Sequence, residues 1–138
     1  MGNSKKEQTP TEDAVLLMFL SLAENDGIEV ALTLNIHGAI VTGILIGSRA
    51  YYDGITESSL HLKDDTMSKI IAKRFGDLRD EYLKQKQEQG DKKDDEEAAA
   101  TYIHLKNAKY NQPAMIASAS WWRGKISSID SFSFDSLI

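Results

Sequence analysis

The stretch from Glu29 to His37 constrains this chain more than any other. Apolar Val30, Leu32, Leu34 and Ile36 alternate with Glu29, Ala31, Thr33, Asn35 and His37. A period of two puts the first set on one face of an extended backbone, so the segment is a half-buried strand that needs both strand partners and a cover. His37-Gly38 marks a tight connection, and Ala39 to Gly47 forms a second apolar run interrupted by Gly43. A glycine inside a strand signals a bulge, a sharp bend or close backbone approach, any of which lets a small sheet curl towards a barrel. Tyr51-Tyr52-Asp53-Gly54-Ile55 is expected to continue as a third strand, and short connections between consecutive strands predict an antiparallel meander.

The cover is expected from helices. Thr9-Pro10-Thr11-Glu12 has the form of a capping box, with Pro10 suited to a first helical position and Glu12 and Asp13 to the positive end of the helix dipole. Val15, Leu16, Met18, Phe19 and Leu22 recur at helical spacing, and Asn25-Asp26-Gly27 supplies the stop. Residues 1–8 are polar and aperiodic and read as a disordered tail ahead of one domain, 9–138. In the middle, Met67, Ile71, Phe75, Leu78 and Tyr82 are spaced 4, 4, 3 and 4 and line one face of a second amphipathic helix. Lys84 to Glu97 holds four Lys against six acids and no apolar residue, so a mobile charged loop is expected over 84–97. Tyr102 to Tyr110 reads as a strand, Pro113 breaks the chain, Met115 to Ala119 extends another edge, and Trp122 to Phe134 makes a last strand or pair. The fold class is therefore α+β: an amino-terminal helix on a strongly curved antiparallel sheet, with an inserted helix and charged loop.

Several classes of function are excluded before any motif is sought. A chain of 138 residues with no cysteine has neither disulfides nor thiolate metal sites nor a cysteine nucleophile. The unbroken apolar stretch Ala14–Leu20 is too short to cross a bilayer and follows acidic residues, so a cytoplasmic protein with no membrane partner is expected. Its net charge of −5 argues against bulk affinity for nucleic acid or anionic lipid.

Two pieces of sequence carry a resemblance. One is Leu32-Thr33-Leu34-Asn35-Ile36-His37-Gly38 followed by Val41-Thr42-Gly43-Ile44-Leu45-Ile46. The other is Tyr102-Ile103-His104-Leu105-Lys106-Asn107-Ala108, then Trp122-Arg123-Gly124-Lys125-Ile126 through to Ser133. Together they resemble the gas vesicle accessory proteins of the GvpU family over roughly Glu29 to Leu137. That resemblance implies an accessory role, the association or clustering of gas vesicles, and not the building of their shell. More distantly, the same pieces look like the helix-then-bent-strands plan of Sm-like barrels. The segment Met67 to Glu97 departs from that plan as a long insertion between the third and fourth strands.

Candidate residues follow. His37, His61 and His104 are the only histidines, and no two are at helical spacing, so surface or strand-partner roles are expected and no metal site. Neither a nucleophile elbow, a phosphate loop nor a dinucleotide fingerprint occurs, so neither catalytic residues nor a cofactor are expected. Trp121-Trp122-Arg123 has the composition of an interface hot spot and is the candidate for partner contact; strand alternation turns the two tryptophans to opposite sides. Lys92, Lys93, Asp94, Asp95, Glu96 and Glu97 form adjacent basic and acidic blocks, the candidate for salt-sensitive association of this chain with copies of itself. Strand edges around Tyr110 or Phe132 are candidates for stronger pairing. The expected partners are thus a gas vesicle surface, or proteins on it, and the chain itself. The alternative is an Sm-like nucleic-acid module stacking bases on Tyr51, Tyr52 or Tyr110 near Lys106 and Lys109.

Overall fold

The computed structural model describes residues 13–62, 65–88, 101–112 and 115–134. In chain order they form α1 (Ala14–Asp26), β1 (Val30–Ile36), β2 (Ala39–Ile46), α2 (Ser48–Ser59), α3 (Asp65–Glu88), β3 (Tyr102–Gln112), β4 (Met115–Lys125), a single 3-10 turn and β5 (Ser131–Phe134). The five strands pair in the order β4-β3-β2-β1-β5, and every pairing is antiparallel. Four consecutive strands make the expected meander, and the fifth returns to the free side of β1. The sheet stays open, with β4 and β5 as its edges and no pairing between them, so the Sm-like barrel finds no support here.

The strongest sequence signal holds, with Ile36 alone of its four apolar residues only partly buried. Val30, Leu32 and Leu34 of β1 are buried, and Leu32 and Leu34 are wholly so. Leu32 and Leu34 join Val41 and Leu45 of β2, Ile103, Leu105 and Ala108 of β3 and Ile126 beneath Leu16, Leu20 and Ala23 of α1. Removing a leucine side chain from water contributes about 1.5–3 kcal/mol, so this one-faced core supplies the main driving force for α1 to dock on the sheet. Phe19 of α1 meets Phe134 of β5 with ring centroids 4.1 Å apart, which covers the β5 end of the same face. The described helix starts at Ala14, where the Asp13 carboxylate accepts the Leu16 N–H at 3.0 Å. The capping box at Thr9–Glu12 and the tail 1–8 lie outside the described residues. Gly27, in left-handed backbone, donates its N–H to the Leu22 carbonyl and ends the helix where expected.

The β1–β2 hairpin closes through His37 and Gly38, whose φ values of 52° and 90° are those of a type I′ turn. Gly43 marks a close approach. The pairing of β2 with β3 shifts between Thr42 and Ile44, so Gly43 alone faces Asn107 and Ala108. The extra residue sits on β3, at Asn107 with φ 54°, and a Cβ on Gly43 would stand 3.3 Å from the Ala108 backbone.

The expected third strand is a helix. Tyr51 to Ile55 lie in α2, so the insertion falls between β2 and β3 and comprises both α2 and α3. β-favouring tyrosines are overridden by tertiary contacts: the Glu24 carboxylate of α1 binds the first turn, and Tyr51 and Ser59, eight residues apart, are buried. α3 is amphipathic as expected, yet its buried residues are Ser68 and Ala72, whereas Met67 and Leu78 are half exposed. Small residues let α2 and α3 approach closely. Lys84 to Glu88, expected as loop, form the end of α3, because Lys86 anchors that turn on α1. The rest of the expected charged loop lies outside the described residues. Trp122 to Phe134, expected as a last strand or pair, comprises the end of β4, the 3-10 turn and β5.

Gly54 provides a sharp packing test. It lies within α2 directly against the Trp121 indole, and a Cβ at this position would fall inside the ring. Glycine-to-alanine in a helix interior ordinarily stabilises by about 1 kcal/mol. Here Gly54→Ala is expected to destabilise by about 1–3 kcal/mol through overpacking. Trp121→Ala in the same chain should restore the ordinary sign, as read by urea denaturation followed by far-ultraviolet circular dichroism.

Candidate functional site

Alternation along β3 turns Ile103 and Leu105 into the core and His104 to the opposite face of the sheet. α2 lies over that second face. Its Tyr51 ring stacks against His104 with centroids 4.6 Å apart, Tyr52 lies 5.6 Å from Tyr51, and Tyr82 of α3 lies 5.7 Å from Tyr52. An aromatic layer therefore runs from the sheet through α2 to α3. His104 is 3% exposed, and among the described residues neither Nδ1 nor Nε2 has a hydrogen-bond partner. Burial, reinforced by Arg123 and only partly offset by Glu24, pushes its pKa from the ordinary 6.5 down to about 4, so the ring is neutral at pH 7.

Glu24, in the last turns of α1, gathers the helices around this layer. Its Oε2 accepts from the Ser48 N–H at 2.8 Å and the Ser48 hydroxyl at 2.6 Å, holding the start of α2. Its Oε1 accepts from the Tyr82 hydroxyl at 2.5 Å, and its backbone carbonyl accepts from Lys86 Nζ at 2.8 Å. Burial and the bond to Glu24 raise the Tyr82 pKa, keeping the phenol a donor. Burial likewise raises that of Tyr51. Asp53 completes the join between the inserted helices, with Arg49 at 3.8 Å and Arg79 at 3.5 Å. A cleft of about 330 Å³ opens beside this knot, lined by residues that include Glu24, Glu29, Arg49 and Asp53.

Trp121 and Trp122 face opposite sides of the sheet, as alternation predicts. Trp122 pairs with Leu105 and packs against the main core. Trp121 lies against Gly54, and its indole N–H donates to the Ser58 hydroxyl at 2.8 Å, fastening β4 to α2. Arg123 is exposed and sits over the Tyr102 ring, 4.1 Å from its centroid. Of the three partner-contact candidates, Arg123 with Tyr102 is the one presented outward, while the tryptophans are partly buried on either face. Lys92, Lys93 and Asp94 to Glu97 lie outside the described residues.

The remaining candidates are dispersed. His37 sits in the exposed hairpin turn, 3.8 Å from Asp130, and His61 lies 3.5 Å from Glu57. Among the described residues no group of three or more histidines and carboxylates could hold a metal ion, and no helix is long and apolar enough to cross a membrane. Tyr51 is buried, Tyr110 packs against the core on the opposite face, and Lys106 is paired with Glu29 at 3.0 Å. The tyrosines and lysines of the nucleic-acid reading thus form no shared platform. Tyr110 belongs to the interior strand β3, so of the two suggested edges only Phe132, on β5, is at one. Sequence reasoning missed His104 and Glu24 as burial and network centres; both depend on α2 being a helix.

Fold and layer together define a small α+β protein with helices on both faces of an open antiparallel sheet. The chain belongs to a gas vesicle protein family: the family model described as "Gas vesicle protein GvpU-like" matches residues 13–137, nearly its whole length. This is not a known enzyme family. No curated protein matches the chain.

The depressed His104 pKa has a definite sign in stability. Above pH 6.5 the ring is neutral whether the chain is folded or unfolded. As pH falls from 6.5 towards 4, the unfolded chain takes up a proton that the folded chain refuses, so stability drops. From pH 7.5 to 5 this group should cost about 2 kcal/mol. His104→Phe should lose that much less over the same interval, as measured by urea midpoints; equal losses in the two proteins would show that His104 is not held neutral.

Proposed function

We propose that this chain is a non-enzymatic accessory protein that binds gas vesicles, associates with itself and thereby gathers vesicles into clusters in a salt-sensitive way. Membership of the GvpU-like family is the observation that carries the reading. It is supported by the dispersal of the polar groups of the fold, of which the Glu24 cluster and the Arg79–Asp53 pair hold α1, α2 and α3 to one another. Partner contact is assigned to the surface around Arg123, where the guanidinium lies over Tyr102 and Trp121 and Trp122 brace the strand beneath. Salt-sensitive self-association is assigned to Lys92 and Lys93 against Asp94, Asp95, Glu96 and Glu97. Attraction between such blocks is screened beyond about 8 Å at physiological ionic strength, so individual contacts are weak and the response to salt steep. Several weak contacts on one vesicle surface act together through effective concentration. The chain then resides in the cytoplasm wherever the vesicles are.

Microscopy of vesicle-bearing cells with and without the chain tests the central point: clusters are expected only when it is present, and equal dispersion in both would overturn the reading. On purified vesicles, turbidity should fall with added salt, and neutralising Lys92 to Glu97 should flatten that curve without changing the circular dichroism spectrum. An unchanged curve removes this segment from the mechanism. Retention of RNA by the purified chain, falling steeply with salt, would favour a nucleic-acid module instead.

A further inference from the structure

The two edges of the sheet are built differently. β5 spans only Ser131–Phe134, and its entry is fastened to the hairpin: the Asp130 N–H donates to the Asn35 carbonyl at 2.8 Å, and its carboxylate accepts the His37 N–H at 2.8 Å. β4 is 11 residues long and, among the described residues, pairs on one side only. Alternate N–H and C=O groups along its outer side therefore point away from β3 without a strand partner. Edges are ordinarily blunted by shortness, charge, proline or a bulge. β5 is short. From Met115 to Trp122, β4 carries neither charge nor proline, and it keeps one register with β3 from Tyr102↔Lys125 to Gln112↔Met115, the ladder skipping only Asn107 and Ser120.

What fits such an edge follows from its own sequence. Its charges, Arg123 and Lys125, both lie at the carboxyl end, and its middle is Ala117-Ser118-Ala119-Ser120, with Ser118 and Ser120 exposed. A parallel copy would set each cation beside its equivalent. An antiparallel copy, centred in the small-residue stretch, sends the two Arg123 side chains to opposite ends, about 30 Å apart at roughly 3.4 Å per residue. That exceeds the screening length of about 8 Å, so the repulsion vanishes. The small side chains at the centre leave nothing bulky to hold a second sheet away.

We propose that β4 is the surface through which two copies of this chain pair, antiparallel, about a two-fold axis within Ala117–Ser120. The pairing joins two open sheets into one continuous sheet and leaves both β5 edges outermost. It deepens the self-association reading above, and rests on that reading only for its consequence at the vesicle.

The absence of cysteine from the full chain makes the test clean. Cysteine is introduced singly as Ser118→Cys, Ala119→Cys, Ser120→Cys and, on the other edge, Ser133→Cys. Mild oxidation should give a disulfide-linked dimer in at least one of the three β4 variants and none in Ser133→Cys. Cross-linking confined to Ser133→Cys, or absent from all four, would overturn the proposal. Analytical ultracentrifugation of the uncross-linked native chain should show a dimer that weakens at least tenfold in Ser118→Lys/Ser120→Lys. Circular dichroism and Tm identify the folded variant in which this comparison is made, and an unweakened dimer there would also overturn the proposal. Vesicle clustering separates the two readings: if β4 cross-links form but the native chain clusters no vesicles, the interface stands and the clustering function falls.

Discussion

One carboxylate determines where the inserted helices lie. Glu24 projects from the end of α1, and its oxygens bind the first turn of α2 and a tyrosine near the end of α3, while its carbonyl receives Lys86. Hydrogen bonds to a charged group contribute about 1.5–3 kcal/mol each, more than surface ion pairs do, and this carboxylate is about one-third exposed. Once α2 begins at Ser48, Tyr51 falls over His104 and Gly54 beneath Trp121. The layer on the second face of the sheet is thus a consequence of where α1 ends. That ending is set in turn by Gly27.

The two faces of the sheet are held by different chemistry. α1 docks through leucines and phenylalanines in a core that needs no polar pairing. α2 docks through aromatic rings, one indole hydrogen bond and a buried imidazole whose two nitrogens find no hydrogen-bond partner among the described residues. A buried polar group without a partner costs about 1–3 kcal/mol, so the α2 side is the weaker of the two. Local opening should therefore begin where α2 meets β3 and β4, with the α1 core intact. The surface around Arg123 borders that weaker side.

Legibility in the sequence followed the same division. The β1 alternation, the His37-Gly38 turn, the Gly27 stop and the close approach at Gly43 are local signals, and each appears in the structure. Tyr51 to Ile55 misled because β-propensity describes a residue on a half-buried pleated surface, and these tyrosines meet such a surface from a helix lying on it. With α2 misread, neither the burial of His104 nor the role of Glu24 could be inferred, since both act across more than twenty residues of sequence. The α3 face was displaced by about one position because the buried residues are the small Ser68 and Ala72, which a count of large apolar side chains passes over. The opposite orientations of Trp121 and Trp122 were legible, since strand alternation alone dictates them.

The proposed clustering places a demand on valency that a single sheet edge does not meet. If β4 pairs with β4, the two-fold axis closes the assembly at two copies, because the outer β5 edges are short and already fastened at their entry. A closed dimer cannot by itself grow into a network. It does double every other surface: each pair carries two Arg123–Tyr102 faces and two copies of the charged stretch Lys92–Glu97. Two vesicle-binding faces on one rigid unit are the minimum needed to bridge two vesicles. In that arrangement, β4 pairing sets the geometry of the bridge and the charged blocks set how far bridging spreads at a given ionic strength. Strong, saturable pairing and weak, open-ended attraction then do separate jobs, and removing the first should abolish bridging even where the second persists.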